Sequence, residues 1–223
     1  MRLRVWVIAM GAILIWGGLA TAQVPPPPGG PGEIGGWYEQ AAKAGDPKIQ
    51  FLYGVRIEQG VQGAPDMEAA LYWYEESAKQ GYAPALHRLI ALYGGAGTIP
   101  ANPAKVAQWT GRAAGGGDAR SAFNYAVMLE TGAGVARDVA AALTWYEAAY
   151  DGGIDRAALR LGYLLSQGEA APEQLVRALM WTDLAGAGVR GYQDLRRSLV
   201  ERLNSDQQAQ AHEMSIHRRA LRR

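Results

Sequence analysis

Trp73-Tyr74-Glu75-Glu76-Ser77-Ala78-Lys79-Gln80-Gly81 repeats, 36 residues on, the stretch Trp37-Tyr38-Glu39-Gln40-Ala41-Ala42-Lys43-Ala44-Gly45. The same step leads from Trp73 to Trp109, Trp145 and Trp181. Of seven tryptophans in the chain, every one beyond Trp16 falls in this register. Self-similarity at a fixed period of 20–50 residues is the signature of a stacked array of supersecondary units.

Other columns follow the tryptophans. Ala41, Ser77, Ala113, Ala149 and Ala185 stand four residues after them, and Asp66, Asn102 and Asp138 seven before, with Gln174 in the fourth place. Gly45, Gly81, Gly117 and Gly153 come eight after, and the fifth unit shifts to Gly188. Asp and Asn accept hydrogen bonds from the free amides of a helix N-terminus, so these columns predict the start of each tryptophan-bearing helix. Pro103 suits the first helical position, and the glycines allow the left-handed conformation that ends a helix. Asp46-Pro47 then restarts one. Twenty residues before the tryptophans come Tyr53, Leu89, Tyr125 and Leu161, on a preceding helix. Each unit is predicted to be two antiparallel helices of about 12–15 residues. The small residues permit close approach, and the tryptophan fills the space between neighbouring pairs. The fold class is all-α, a right-handed solenoid of helix pairs that bury their apolar faces only by stacking.

The columns together carry a family resemblance. Phe123-Asn124-Tyr125-Ala126, Gly132-Ala133-Gly134-Val135-Ala136-Arg137-Asp138 and Ala142-Leu143-Thr144-Trp145-Tyr146-Glu147-Ala148-Ala149 resemble the Sel1-like repeat, a relative of the tetratricopeptide repeat with a longer unit. Thr110 and Thr182 depart from it by replacing the Tyr after Trp, and only the third unit keeps the full Gly-x-Gly-Val turn. The resemblance implies a scaffold for protein partners, with the first helices lining a concave face. The solenoid is expected over 37–191, opening on a half unit. A C-terminal capping helix and basic tail (192–223) follow, in which Ser205 caps a polar helix.

The 223 residues include no cysteine, which excludes disulfides, Cys-ligated zinc and a thiol nucleophile. A formal charge of +1 argues against a nucleic-acid partner. Arg2 and Arg4, the apolar run Val5–Ala20 and Ala20-Thr21-Ala22 form a secretory signal, with cleavage expected before Gln23. Contact with a membrane is expected only through this segment, if it stays uncleaved. Gln23 to Gly36 is a Pro/Gly-rich linker, QVPPPPGGPGEIGG, whose prolines favour an extended spacer. The mature protein is therefore expected in the periplasm or outside the cell, with its partner in the cell envelope.

No catalytic constellation is visible. None of the six serines has Lys three residues on, so Ser-x-x-Lys is absent. Some cysteine-rich members of the resembled family have been linked to β-lactam compounds, but this chain lacks their cysteines. His212 and His217, five apart, point about 140° away from each other on a helix and do not chelate. His87 shares its column with Phe51, Phe123, Leu159 and Leu195 and is read as a packed or half-exposed core residue. The expectation is a non-enzyme without metal or cofactor. A cell-wall-associated accessory protein or enzyme acting on peptidoglycan or β-lactam compounds is the alternative.

Two polar columns remain. One holds Lys48, Pro84, Arg120, Arg156 and Tyr192, and four residues later the other holds Leu52, Arg88, Asn124, Arg160 and Arg196. Residues i and i+4 share a helix face. Stacking would therefore place Arg88, Arg120, Asn124, Arg156, Arg160 and Arg196 on one strip, able to grip an acidic or C-terminal peptide segment through guanidinium forks. Read without a ligand, the same residues form a solvated face paired with nearby acids.

Overall fold

The computed structural model describes residues 34–61 and 63–222. The expected signal segment 1–22 and most of the linker lie outside them. The described residues form eleven α-helices and no strand: α1 (Ile34–Lys43), α2 (Pro47–Glu58), α3 (Met67–Lys79), α4 (Ala83–Tyr93), α5 (Pro103–Gly115), α6 (Ala119–Thr131), α7 (Val139–Asp151), α8 (Asp155–Leu165), α9 (Pro172–Ala185), α10 (Tyr192–Arg202) and α11 (Ser205–Leu221). None of them is long and apolar enough to cross a membrane.

From α1 to α9 each helix packs on the next in sequence, and both α10 and α11 pack against α9. The array is an all-α solenoid: α1 is a lone second helix, followed by the pairs α2/α3, α4/α5, α6/α7 and α8/α9, with α10 and α11 closing the end. Local chemistry sets the boundaries. Asp66, Asn102 and Asp138 accept from the amides of Ala69, Lys105 and Ala141 at 3.0, 3.1 and 2.9 Å, and so start α3, α5 and α7. Gly45, Gly81, Gly117 and Gly153 take φ of 99°, 80°, 90° and 100°, where any side chain would be strained.

Three boundaries differ from expectation. Ile34–Gly36 belong to α1 rather than to the linker. α9 ends at Gly186, with φ 78°, and not at Gly188. The cap of α11 is Asn204, whose side chain accepts from the Gln207 amide at 2.9 Å, while Gln207 returns a bond to the Asn204 amide at 3.0 Å. This reciprocal box satisfies two free amides at once, which Ser205, already inside the helix, does not.

Close approach between helices depends on small residues. A Cβ on Gly54 of α2 would lie 2.8 Å from the Tyr74 ring of α3. The tryptophans divide into two kinds. Trp109 and Trp181 are fully enclosed, at 2% and 3% exposure. Trp73 and Trp145 are half-buried and sit edge-on to Tyr53 and Tyr125, at 5.3 and 5.6 Å between ring centres. Gap-filling by tryptophan is thus complete only in every second unit.

Candidate peptide-binding face

The alternation extends to the strip of first-helix residues. At the end of α2, Glu58 accepts from the Tyr74 hydroxyl of α3 at 2.5 Å and from the Arg88 guanidinium of α4. Seventy-two residues on, Glu130 at the end of α6 accepts from the Tyr146 hydroxyl at 2.7 Å and from Arg160 of α8. Each cluster ties three successive helices. Burial, and then donation to the glutamate, push both phenols well above the ordinary tyrosine range. Burial alone would raise the Glu130 carboxyl, but the bonds from Arg160 and Tyr146 outweigh it and hold the group below its ordinary value.

Arg196 is engaged too, with Nε 2.9 Å from Asp183 Oδ1. So Arg88, Arg160 and Arg196 are half-buried and held by internal carboxylates. Arg120, Asn124 and Arg156 stand exposed. Among the described residues neither Arg120 nor Arg156 has a carboxylate within ion-pair distance. Arg156 lies over the Phe123 ring at 4.1 Å.

The α4/α5 pair lacks the cluster entirely. Gly94 stands where Glu58 and Glu130 stand, Thr110 in place of Tyr, Asn124 in place of Arg, and His87 in place of Phe. Here a groove of about 710 Å³ opens. It is lined by His87, Ile90 and Ala91 of α4, by Thr110 of α5, by the first turns of α6 and by Gly152 and Ile154 of the α7–α8 turn. Arg120 and Asn124 are brought together in it. The Thr110 side chain is 2% exposed, and its hydroxyl has no hydrogen-bond partner. His87 is about half-exposed at the groove edge, its Nε2 3.8 Å from Asp118 Oδ2. A charged neighbour and an open side keep it out of the core.

Asp118, His87 and Ser121 share this groove, but their order is not that of a hydrolase. Asp118 caps α6, accepting from the Ser121 amide at 2.5 Å. Burial works to raise its pKa. Backbone and hydroxyl bonds from Ser121 and the charges of His87 and Arg120 hold it below the ordinary value. A serine nucleophile needs the histidine between serine and acid. Here the acid stands between the other two. Among the described residues no three His, Asp or Glu side chains cluster as a metal site.

The basic tail is drawn into the stack. Arg218 bonds both Asp151 carboxylate oxygens at 2.8 and 2.9 Å, and Arg222 bonds Asp155 at 2.8 Å. Arg222 also covers the Tyr150 ring at 4.0 Å.

The Sel1 repeat family profile matches residues 36–46, 47–82, 85–118, 119–154 and 155–188, well over half of the chain. The chain belongs to the Sel1 repeat family. Sel1 repeats generally mediate protein–protein interaction and are generally non-catalytic. Among solved structures, the chain is similar to c5321, "a protective antigen present in uropathogenic Escherichia coli strains displaying an SLR fold". Identity is 24% and the TM-score 0.48, over 82% of this chain and 47% of that one, so this chain spans about half the length of that antigen. It is also similar to a Sel1 repeat protein from Oxalobacter formigenes, with 23% identity and a TM-score of 0.47 over 84% and 80% of the two chains.

The two-unit alternation of this Sel1 array is what one-unit columns conceal. Asp46, Phe51, Tyr53, Glu58 and Tyr74 recur 72 residues later as Asp118, Phe123, Tyr125, Glu130 and Tyr146. A comparison at twice the period picks out Thr110, Gly94 and His87 as departures from the cluster, and so marks the groove.

Proposed function

We propose that this protein is an exported, non-catalytic scaffold of the cell envelope that binds a protein partner through the exposed residues of α6 and α8. The observation that supports this most is that Arg120, Asn124 and Arg156 stay exposed without a carboxylate partner, while the neighbouring arginines of the strip are internally paired. Free guanidinium forks on stacked helices suit recognition of acidic segments. Export rests on Arg2, Arg4, the apolar run and Ala20-Thr21-Ala22.

Crosslinking of the tagged protein in its native envelope, followed by identification of captured proteins, tests the reading. Arg120→Glu with Arg156→Glu should abolish capture with helicity intact. The same capture from the double variant as from wild type would refute it. Glu147→Lys on the outer face is the control. Glu75 is a poorer one, because it accepts from Tyr93 at 2.9 Å and from Lys105 at 3.0 Å. Removal of residues 204–223 would strip α11 from α9, so Arg219→Gln is the better probe of the tail. N-terminal sequencing of the envelope-fraction protein should begin at Gln23; a chain starting at Met1 would defeat cleavage.

A further inference from the structure

Resting on the scaffold reading, we propose that the groove between α4 and α6 seats an acidic side chain of an extended partner segment, with its carboxylate taken by Arg120 and Asn124. In the α2/α3 and α6/α7 pairs the equivalent place is filled from within, by Glu58 with Tyr74 and Arg88 and by Glu130 with Tyr146 and Arg160. In the α4/α5 pair the internal acid is missing, because Gly94 carries no side chain. The residue in register with Arg88 and Arg160 is Asn124, and Arg120, one turn earlier on the same face of α6, lines the same groove.

Two further features set the groove apart from its neighbours. The Thr110 hydroxyl is buried and unpartnered, whereas Thr182, the other threonine of its column, donates to the Ala178 carbonyl at 2.8 Å. A buried hydroxyl without a partner is unfavourable until a ligand group meets it. Arg120 also lacks the support that Arg156 has. Arg156 lies on Phe123, whereas the residue in the place of that ring beside Arg120 is His87, a second potential cation. The one acid present, Asp118, is already engaged by the Ser121 amide. Asp118 also faces His87 at 3.8 Å, so Arg120 and Asn124 are the donors of the row that no carboxylate within ion-pair distance has taken.

The shape favours a side chain on a running chain over a bare terminus. Ile90 and Ala91 line the groove from α4, and Ile154 lines it from the α7–α8 turn. Apolar wall thus lies on both sides of α6, where residues flanking the acid can rest. The volume of about 710 Å³ is far more than one carboxylate fills and lies within the usual range for ligand sites.

The probes are three octapeptides titrated into the isotope-labelled full chain and followed by the amide signals of α6. One is acetylated and amidated, with alternating Glu and Val. The second has Gln for Glu. The third is the Gln peptide with a free C-terminal carboxylate. The Glu peptide should shift Ser121 and Asn124, and both the Gln peptide and Arg120→Gln should bind about tenfold more weakly, as expected for a lost charge-assisted pair. Asn124→Glu, an exposed change that supplies its own carboxylate to Arg120, should abolish binding with unchanged helicity. Thr110→Val, which keeps the buried shape, should also weaken it. Equal affinity for the Glu and Gln peptides overturns the proposal, and so does undiminished binding to Asn124→Glu. Binding of the free-carboxylate peptide alone would make this a seat for a chain terminus and overturn it likewise. If no peptide binds while charge reversal at Arg120 and Arg156 still abolishes capture, the seat is refuted and the scaffold stands. If capture also survives, both fall.

Discussion

Trp109→Ala and Trp181→Ala should cost much more stability than Trp73→Ala and Trp145→Ala, although all four occupy one column. Trp109 is 2% exposed and belongs to the same buried core cluster as Tyr74, Leu86, Leu89 and Ala113. An enclosed aromatic buries roughly 150–250 Å², worth ~4–6 kcal/mol at ~25 cal/mol per Å². Truncation to Ala at such sites costs about 3–5 kcal/mol. The Trp109 indole N–H is buried without a partner, as is that of Trp181, so removing it returns about 1 kcal/mol. The net expectation is about 2–4 kcal/mol for Trp109 and Trp181. Trp73 and Trp145 keep part of their rings in solvent, Trp73 edge-on to Tyr53 and Tyr72 and Trp145 to Tyr125, so about 1–2 kcal/mol is expected. Urea unfolding followed by far-ultraviolet circular dichroism reads the four differences directly. A loss of 1 kcal/mol lowers the midpoint temperature by about 2–4 °C in a chain of this size. Equal costs at all four positions would refute the two-kind packing. A negligible cost for Trp109→Ala would refute its place between pairs altogether.

The Glu130 cluster makes a pH prediction. Its folded-state pKa lies below the ordinary 4.5, so its contribution is present above that value and lost as pH falls through the lower folded one. Glu130→Gln should therefore lower the melting temperature at pH 7, with the gap to wild type closing in acid; a gap that persists undiminished at pH 3 would contradict the assignment. Gly134→Ala should be severe, since φ is 74° there and an added Cβ would lie 2.1 Å from the Pro103 carbonyl oxygen, whereas Gly45→Ala meets open space and should cost only about 1–2 kcal/mol, the price of its backbone conformation. Thermal melts of the two variants make that comparison. Arg218→Gln with Arg222→Gln should speed hydrogen exchange in α11 before any other helix, because those side chains fasten it to Asp151 and Asp155; uniform exchange along the chain would show that α11 needs no such fastening.

The sequence by itself determined what local chemistry controls. Helix starts at Asp66, Asn102 and Asp138 follow from side chains three residues from the amides they cap, and helix ends follow from glycines at positive φ. The period of 36 then requires identical units to stack, because one pair cannot cover its own apolar face. The misplaced ends at Gly186 and Asn204 lie where the columns lapse and neighbouring candidates compete. Which polar residues of the strip are free was decided only by tertiary structure. Arg120 and Arg156 stand in one column and Arg88 and Arg160 in the other, and the one-dimensional register does not say which column meets an acid; it is that of Arg88 and Arg160. Each is taken by a glutamate thirty residues earlier, at the end of the preceding first helix. That pairing exists only once successive first helices lie side by side with a tyrosine from the intervening helix beneath them. Where Gly94 and Thr110 interrupt the arrangement, the same stacking leaves a groove, with Asn124 and Arg120 at its polar row and a buried hydroxyl unanswered.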